Sequence, residues 1–377
     1  MNFQSFELEH YQSQHERNVD FNLADSSVKC TGVSDWLNVD EIGRLLNTGL
    51  FYPEVNGTSA LRERIADLYG EARADAGQVL VTVGAAQANA MVCASLLQPG
   101  DEVVVISPGY RQVWGLAQNA GCVVKELATH PEQDWRPDLE ALAALVGPRT
   151  RMVSVVNPNN PTGTVLTEAE MAAIVAICAR AGCWLHADEV YAGTELHGAP
   201  AASFWGRYDK VVCVNSMSKA YGLSGLRIGW VLGPAELVEA CWRRHEYAVI
   251  AAASPSMTLA EIALTPDKRE WLLQRQRRLS AAGRQVLTDW LPQQDGRFSW
   301  RTSASTPVAF VQQHLDMPSL ALAETLRERA SVLVAPGSFL GAEGCLRVTV
   351  GYDAPKIAQA LLRIGEVART LPRAARP

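Results

Sequence analysis

The most constraining feature of this sequence is an alternation of short apolar runs with helix-like segments between about residue 79 and residue 233. The apolar runs are rich in β-branched residues and nearly continuous, as in strands that are covered on both faces. Their alternation with helical patterns is typical of βαβ units and favours an α/β fold with a mainly parallel sheet. The six predicted strands are Val79 to Val83, Glu102 to Ile106, Met152 to Val156, Trp184 to Ala187, Val211 to Asn215 and Ile228 to Leu232.

One of the intervening helices can be bounded from the sequence. Thr167 and Glu170 have the spacing of a capping box, and Gly182 is suited to a helix end. The apolar stripe between them consists of Met171, Ile174, Val175 and Cys178. This amphipathic pattern predicts a helix that packs on the sheet.

The rest of the chain indicates a second, smaller α+β domain. A long, polar-rich helical stretch runs from about Lys268 to Leu291, and an alternating pattern returns at Cys345 to Val350. The N-terminal forty-odd residues show one helix and little other periodicity, so we expect them to pack on the second domain. The expected division is a large domain over residues 46–265 and a small domain from residues 1–45 and 266–377.

Composition and charge exclude several classes of protein. The net charge of -6 and the shortness of basic clusters such as Arg275 to Arg278 argue against a nucleic-acid partner. The start of the chain lacks the pattern of a secretory signal, and no apolar stretch has the length of a membrane span. The eight cysteines form no CxxC pair, so we expect reduced thiols, no metal site and a cytoplasmic location.

The strongest chemical signal is the segment from Ser216 to Trp230, SMSKAYGLSGLRIGW. Lys219 follows directly on a predicted strand, and Arg227 lies eight residues further on. Two other predicted strands lead into Asn157 to Gly163 (NPNNPTG) and His186 to Tyr191 (HADEVY). Together these motifs resemble those of the class I and II aminotransferases, which are pyridoxal 5'-phosphate (PLP) enzymes of fold type I. The resemblance covers nearly the whole chain.

The resemblance implies an activity and its central residues. The expected fold has a mainly parallel seven-stranded sheet between helices, and the expected reaction moves the α-amino group of an amino acid to a 2-oxo acid. Lys219 would form the Schiff base with PLP and transfer protons. Asp188 would lie under the pyridine nitrogen and Tyr191 at the phenolic oxygen. Asn160 would lie beside the same oxygen and the substrate carboxylate.

Further cofactor contacts follow from the same resemblance. They involve Gly84, Ala85, Ala86, Ser216, Ser218 and Arg227. Ser216 and Arg227 are expected to hold the phosphate together with backbone N–H groups at a helix start, since the family's usual hydroxyl is absent at Ala85 and Ala86. Tyr110 is expected to stack on the cofactor ring, and Tyr52 to reach the phosphate of a neighbouring subunit. The resemblance therefore also implies a homodimer with shared active sites.

Two regions concern the substrate. Arg347 alternates with Leu346 and Val348, and the family's arginine in this setting binds the substrate α-carboxylate; a surface arginine on a strand is the alternative. Many relatives carry a Gly-rich, Pro-containing segment where this chain has Phe21 to Lys29. There Asp25 and its neighbours Ser26 and Ser27 would form a polar, partly acidic lid, which suggests that Asp25 contacts a basic or otherwise polar substrate.

One alternative to transamination remains open at the level of sequence, and a second, from another class, is disfavoured. A subset of the family performs cyclisation or elimination on arginine-derived amino acids in natural-product biosynthesis, and the same residues suit that chemistry. A PLP-binding regulator would need a DNA-binding module. The residues before the first motif are too few and too acidic to supply one.

Overall fold

The computed structural model describes residues 3–70 and 74–374, and these ranges contain thirteen strands and twelve α-helices. The strands are β1 (Phe21–Asn22), β2 (Val79–Thr82), β3 (Glu102–Ser107), β4 (Val123–Ala128), β5 (Thr150–Val156), β6 (Trp184–Asp188), β7 (Val211–Ser216), β8 (Gly229–Leu232), β9 (Phe298–Trp300), β10 (Val308–Gln313), β11 (Val332–Leu333), β12 (Ala335–Pro336) and β13 (Cys345–Thr349). The helices are α1 (Glu7–His15), α2 (Val39–Leu46), α3 (Ser59–Asp67), α4 (Gly84–Leu96), α5 (Gln112–Asn119), α6 (Leu139–Leu145), α7 (Glu168–Ala181), α8 (Ala235–Ala248), α9 (Ser254–Ala263), α10 (Pro266–Trp290), α11 (Ser319–Ala330) and α12 (Ala354–Ala368).

Seven strands form the central sheet in the order β2-β8-β7-β6-β5-β3-β4. Only β8 is reversed, since it pairs antiparallel with both β2 and β7. The six strands predicted from the sequence are all present, within two residues at either end. The seventh, β4, was not predicted. It lies at the sheet edge with several side chains exposed, Val123 by 53%, and therefore lacks a continuous apolar run.

The central sheet is covered on both faces, as its apolar strands predicted. Val103 and Val105 of β3 pack into a cluster with residues of α4, α5 and α8. Val104, between them, points to the opposite face and into a cluster with residues of α7, α9 and α10. The period of two along β3 thus divides one apolar run between two separate cores.

The predicted capping box of α7 is confirmed. Thr167 Oγ1 accepts a hydrogen bond from the Glu170 N–H, and the Glu170 carboxylate accepts one from the Thr167 N–H at 2.7 Å. Gly182 ends the helix with φ of 68°, a left-handed conformation that glycine adopts without steric cost.

The C-terminal part of the chain forms a four-stranded antiparallel sheet in the order β12-β13-β10-β9. Leu346 and Val348 of β13 pack into a cluster with residues of α10, α11 and α12. The N-terminal segment joins this region, because β1 pairs in parallel with β11. Trp36 and Leu37, however, pack in the core under the central sheet. The division into two domains at residues 45 and 265 stays a prediction.

None of the helices in the described ranges combines the length and the apolar character that crossing a membrane requires.

The capping box leads to a prediction about stability. Thr167→Ala should lower the free energy of unfolding by about 1 kcal/mol, because the first turn of α7 loses a side-chain acceptor. Thr325→Ala is a matched control within α11, where the hydroxyl donates only to the Ala321 carbonyl. Guanidinium denaturation of both variants measures the difference, and equal effects would show that the cap contributes nothing.

Candidate active site

A cavity of about 610 Å³ opens at the carboxyl ends of the parallel strands. Asp188 is the last residue of β6 and Ser216 the last residue of β7. Tyr110 and Asn160 follow shortly after β3 and β5. Open α/β sheets commonly bind ligands at this edge, because the loops that leave the strands converge there.

The cavity unites most of the residues that the motifs indicated. Its lining includes Asp25, Ala85, Ala86, Tyr110, Asn160, Asp188, Tyr191, Ser216, Ser218, Lys219 and Arg227. Gly84 lies directly against the Arg227 guanidinium, and Arg347 reaches the cavity through Asn160.

Lys219 contacts the N-terminal segment. Its Nζ atom donates to Ser26 Oγ at 2.7 Å, and the Tyr191 hydroxyl donates to the Ser26 carbonyl oxygen at 3.1 Å. The predicted lid segment therefore lies over the amine and the phenol from two motifs that are 28 residues apart in the sequence.

Asp188 is buried at the base of the cavity. Desolvation raises the pKa of its carboxyl, while hydrogen bonds from the Asn89 amide and the Val190 N–H oppose that shift. The charge of Lys219 also opposes it. A buried carboxylate of this kind binds best to a group that brings a proton or a positive charge.

The first turn of α4 provides a cradle for an anion. The N-cap residue Val83 offers no side-chain acceptor to the N–H groups of the first turn, and Gln87 Oε1 accepts from the Val83 N–H at 2.7 Å. Gly84 has φ of 75°, and a Cβ atom there would collide with the Arg227 guanidinium. The cradle thus combines the helix N-terminus with an arginine, which suits a phosphate group.

Arg347 is buried, with 1% of its surface exposed, so the alternative of a surface arginine is wrong. Its guanidinium donates to Asn160 Oδ1 at 3.1 Å and to the Ala24 carbonyl oxygen at 2.7 Å. Among the described residues its Nε atom has no hydrogen-bond partner. Because Leu346 and Val348 face the helices of the small sheet, the strand period turns Arg347 towards the cavity.

The Asp25 carboxylate faces the same space. It accepts from the Tyr352 hydroxyl at 2.6 Å and from the Ser27 N–H at 2.9 Å. Burial alone would raise its pKa, but the charge of Lys219 and these hydrogen bonds outweigh burial and lower the pKa. Asp25 is therefore a charged wall of the cavity at neutral pH.

Tyr110 is part of the cavity wall. Its hydroxyl donates to Glu9 Oε1 at 2.9 Å. Its ring packs edge-on against the Phe6 ring, with 5.0 Å between the ring centroids. Burial and the adjacent Glu9 charge raise the pKa of Tyr110 well above its usual value. The residue thus presents a neutral ring that the N-terminal helix holds in place.

Tyr52 lies apart from the described residues that line the cavity of its own chain. Its side chain is 79% exposed, beside the equally exposed Leu50 and Phe51. The Ser254 hydroxyl donates to the Phe51 carbonyl oxygen and fixes this segment next to α9.

Several residues that line the cavity were not predicted from the sequence. Glu9, Gln12, Glu16 and Arg17 come from α1 and the turn after it, and Asn89 and Gln112 from α4 and α5. The residues around α1 belong to no recognisable motif, and the partner of Glu9, Tyr110, lies 101 positions away in the sequence. Asn89 gave one, since an amide between Ala88 and Val92 interrupts an apolar helix.

Comparison with known proteins agrees with this geometry. The family model "Aminotransferase class I and II" matches residues 44–364. An arginine–pyruvate transaminase of Pseudomonas aeruginosa is 31% identical over 88% of this chain and 85% of its own length. The capreomycidine synthase of Streptomyces vinaceus is 29% identical over 82% of this chain and 79% of its own length.

The fold is also similar to that of a solved aminotransferase. The crystal structure of a PLP-dependent aminotransferase from Streptococcus suis superposes with a TM-score of 0.92 at 28% identity, covering 100% of both chains. The chain therefore belongs to the class I and II aminotransferases, which are PLP-dependent enzymes of the type I fold.

Proposed function

We propose that this aminotransferase binds PLP in the cavity around Lys219 and moves the α-amino group of an amino acid to a 2-oxo acid. The observation that carries the proposal is the convergence of the Lys219 amine, the buried Asp188 carboxylate and the anion cradle of α4 on one cavity. When bound, PLP supplies an electron sink for the negative charge that develops at the substrate Cα.

Three groups of residues would hold the cofactor. The first turn of α4, Ser216, Ser218 and Arg227 would bind its phosphate. Asp188 would bind the protonated ring nitrogen as an ion pair, which offsets the desolvation of both partners. Tyr191 and Asn160 would donate to the phenolic oxygen, and the Tyr110 ring would cover one face.

Lys219 would be the catalytic base and acid. Its Nζ atom would accept the proton from the substrate Cα and later return a proton to complete the exchange. Ser26, which accepts from this amine, would hold it in position over the cavity.

Arg347 and Asn160 would bind the substrate α-carboxylate. The guanidinium offers a fork of donors that matches a carboxylate, and its burial strengthens the resulting ion pair. Since Arg347 also donates to the Ala24 carbonyl, carboxylate binding and the N-terminal segment would be coupled.

The substrate would be an amino acid with a basic side chain. Asp25 lines the cavity near Lys219, and the lining also contains the acidic Glu9 and Glu16, opposed by the basic Arg17. The similarity to an arginine–pyruvate transaminase supports the same class of substrate.

The enzyme would act as a homodimer with shared sites. Leu50, Phe51 and Tyr52 form an exposed apolar segment, a feature that typically marks an interface between proteins. In such a dimer Tyr52 would reach the phosphate of the partner's cofactor, which would account for its distance from the cavity of its own chain.

The first test of function is a panel of amino acids with PLP and a 2-oxo acid, followed by mass spectrometry of the products. Lys219→Ala should reduce keto acid release by roughly 10²-fold to 10⁴-fold or more, because the proton-transfer group is lost. Lys210→Ala is the control, since Lys210 is exposed at the opposite end of β7. Release of a cyclised or eliminated product by the wild type would favour the activity named for the Streptomyces vinaceus relative instead.

The substrate class can be tested with Asp25→Asn. The ratio of kcat/KM for arginine to kcat/KM for alanine should fall about tenfold or more, because a charged hydrogen-bond acceptor is lost. Since the pKa of Asp25 is lowered, its carboxylate stays charged as the pH falls from neutral, and the wild-type preference should persist in mild acid.

Asp20→Asn is the matched control for this test, because Asp20 lies in the same segment and pairs with Arg363 outside the cavity. The substrate proposal fails if neutral apolar amino acids react with the wild type at least as fast as arginine or lysine.

Shared sites predict complementation between inactive variants. Lys219→Ala and Tyr52→Ala should each be impaired as homodimers, whereas a mixture of the two should form hybrids with one complete site. The activity of the mixture should exceed the sum of the separate activities, and sedimentation should give a dimer. A mixture that never exceeds this sum would contradict shared sites.

A further inference from the structure

A chain of buried side chains leads from Asp188 into the central sheet. Asn89 Nδ2 lies 3.2 Å from Asp188 Oδ2, and Asn89 Oδ1 lies 2.9 Å from His186 Nε2. His186 Nδ1 in turn lies 2.9 Å from Ser154 Oγ. The four residues come from α4, β5 and β6, and all of them are buried.

The carboxylate at the end of this chain determines the direction of every hydrogen bond. An ionised carboxylate only accepts, so the Asn89 NH₂ group faces Asp188 and its carbonyl oxygen faces His186. His186 Nε2 must therefore carry the proton, which leaves Nδ1 to accept from the Ser154 hydroxyl. Burial lowers the pKa of His186 to about 4, so the ring is neutral at ordinary pH.

A second branch holds the Asn89 amide from the other side. Its Nδ2 atom also donates to Gln112 Oε1 at 3.0 Å, and Gln112 Nε2 donates to the Ala86 carbonyl oxygen at 2.8 Å. Turning the amide over would place its carbonyl oxygen against two acceptors, Asp188 Oδ2 and Gln112 Oε1. The amide is therefore fixed in a single orientation.

The consequence for Asp188 follows from its surroundings. Burial raises the pKa of its carboxyl, and the Asn89 hydrogen bond is the largest of the contacts that oppose this shift, ahead of the Val190 N–H and the Lys219 charge. The neighbouring Glu189, whose pKa is raised to about 7 by burial, is an acid and offers Asp188 no positive charge. His186 is neutral and offers none either. Without Asn89, protonation of Asp188 becomes easier.

We propose that Asn89 is a positioning residue for the Asp188 carboxylate, and that His186 and Ser154 fix the orientation of the Asn89 amide. This inference rests on the proposed function, because it assigns Asp188 to the ring nitrogen of PLP. In this role Asn89 acts through Asp188.

The direct test is Asn89→Leu, which removes the amide and keeps the branched shape and the number of side-chain heavy atoms. PLP should bind about tenfold more weakly to this variant, measured by equilibrium dialysis, because Asp188 loses a charge-assisted hydrogen bond. The acidic limb of the kcat/KM profile should move to higher pH, since Asp188 then stays protonated up to a higher pH. Gln276→Leu is the matched control, because it removes another fully buried amide, on α10, and should leave PLP affinity unchanged.

A variant with a smaller expected effect tests the end of the hydrogen-bonded series that lies farthest from Asp188. Ser154→Ala keeps Asn89 and removes only the donor to His186, so it should shift the acidic limb in the same direction by a smaller amount. If Asn89→Leu does not fold, this variant decides: a shifted limb supports the inference, and an unchanged limb overturns it.

The remaining outcomes separate the inference from the proposed function. If Asn89→Leu melts at a lower temperature but keeps the wild-type PLP affinity and pH profile, Asn89 is merely structural and the inference is overturned. If the wild type itself binds no PLP and releases no keto acid, the proposed function fails and the inference fails with it.

Discussion

The Asp188 carboxylate is buried at the end of β6, and desolvation works against its charge. The rest of the cavity is arranged around this constraint. The Asn89 amide, the Val190 N–H and the Lys219 amine each lower the cost of keeping the charge. A buried anion with an open side towards a cavity favours a cationic partner. The type I fold and the PLP chemistry of the family agree with that requirement.

The positions of several side chains in the site also depend on the N-terminal segment. Its Ala24 and Ser26 carbonyls accept hydrogen bonds from Arg347 and Tyr191, and the Ser26 hydroxyl accepts from Lys219. Side chains that follow β6 and β7 or belong to β13 therefore meet on three consecutive residues, 24–26. Because β1 also pairs with β11 beside the small sheet, the segment links that sheet to the cavity.

Sequence patterns predicted the fold well where the signal of a helix or strand lies within its own residues. Six of the seven central strands and the limits of α7 followed from apolar runs and caps, because burial on both faces and capping are local signatures. The edge strand β4 was not predicted, because several of its side chains are exposed and it has no continuous apolar run. Within the site, the motif residues were found, but Glu9, Glu16, Asn89 and Gln112 were not. Their importance depends on neighbours that the sequence does not reveal.

The sequence by itself determined that this chain forms an α/β fold and carries the motifs of a PLP-dependent aminotransferase, since strand periodicity and the residues after each strand are local properties. Only the tertiary structure decided that Arg347 is buried against Asn160, that Asp25 faces Lys219, and that Ser154, His186 and Asn89 form a continuous chain to Asp188. The physical reason is that the charge state and orientation of a buried polar group depend on distant residues. Those residues become neighbours only when the chain folds.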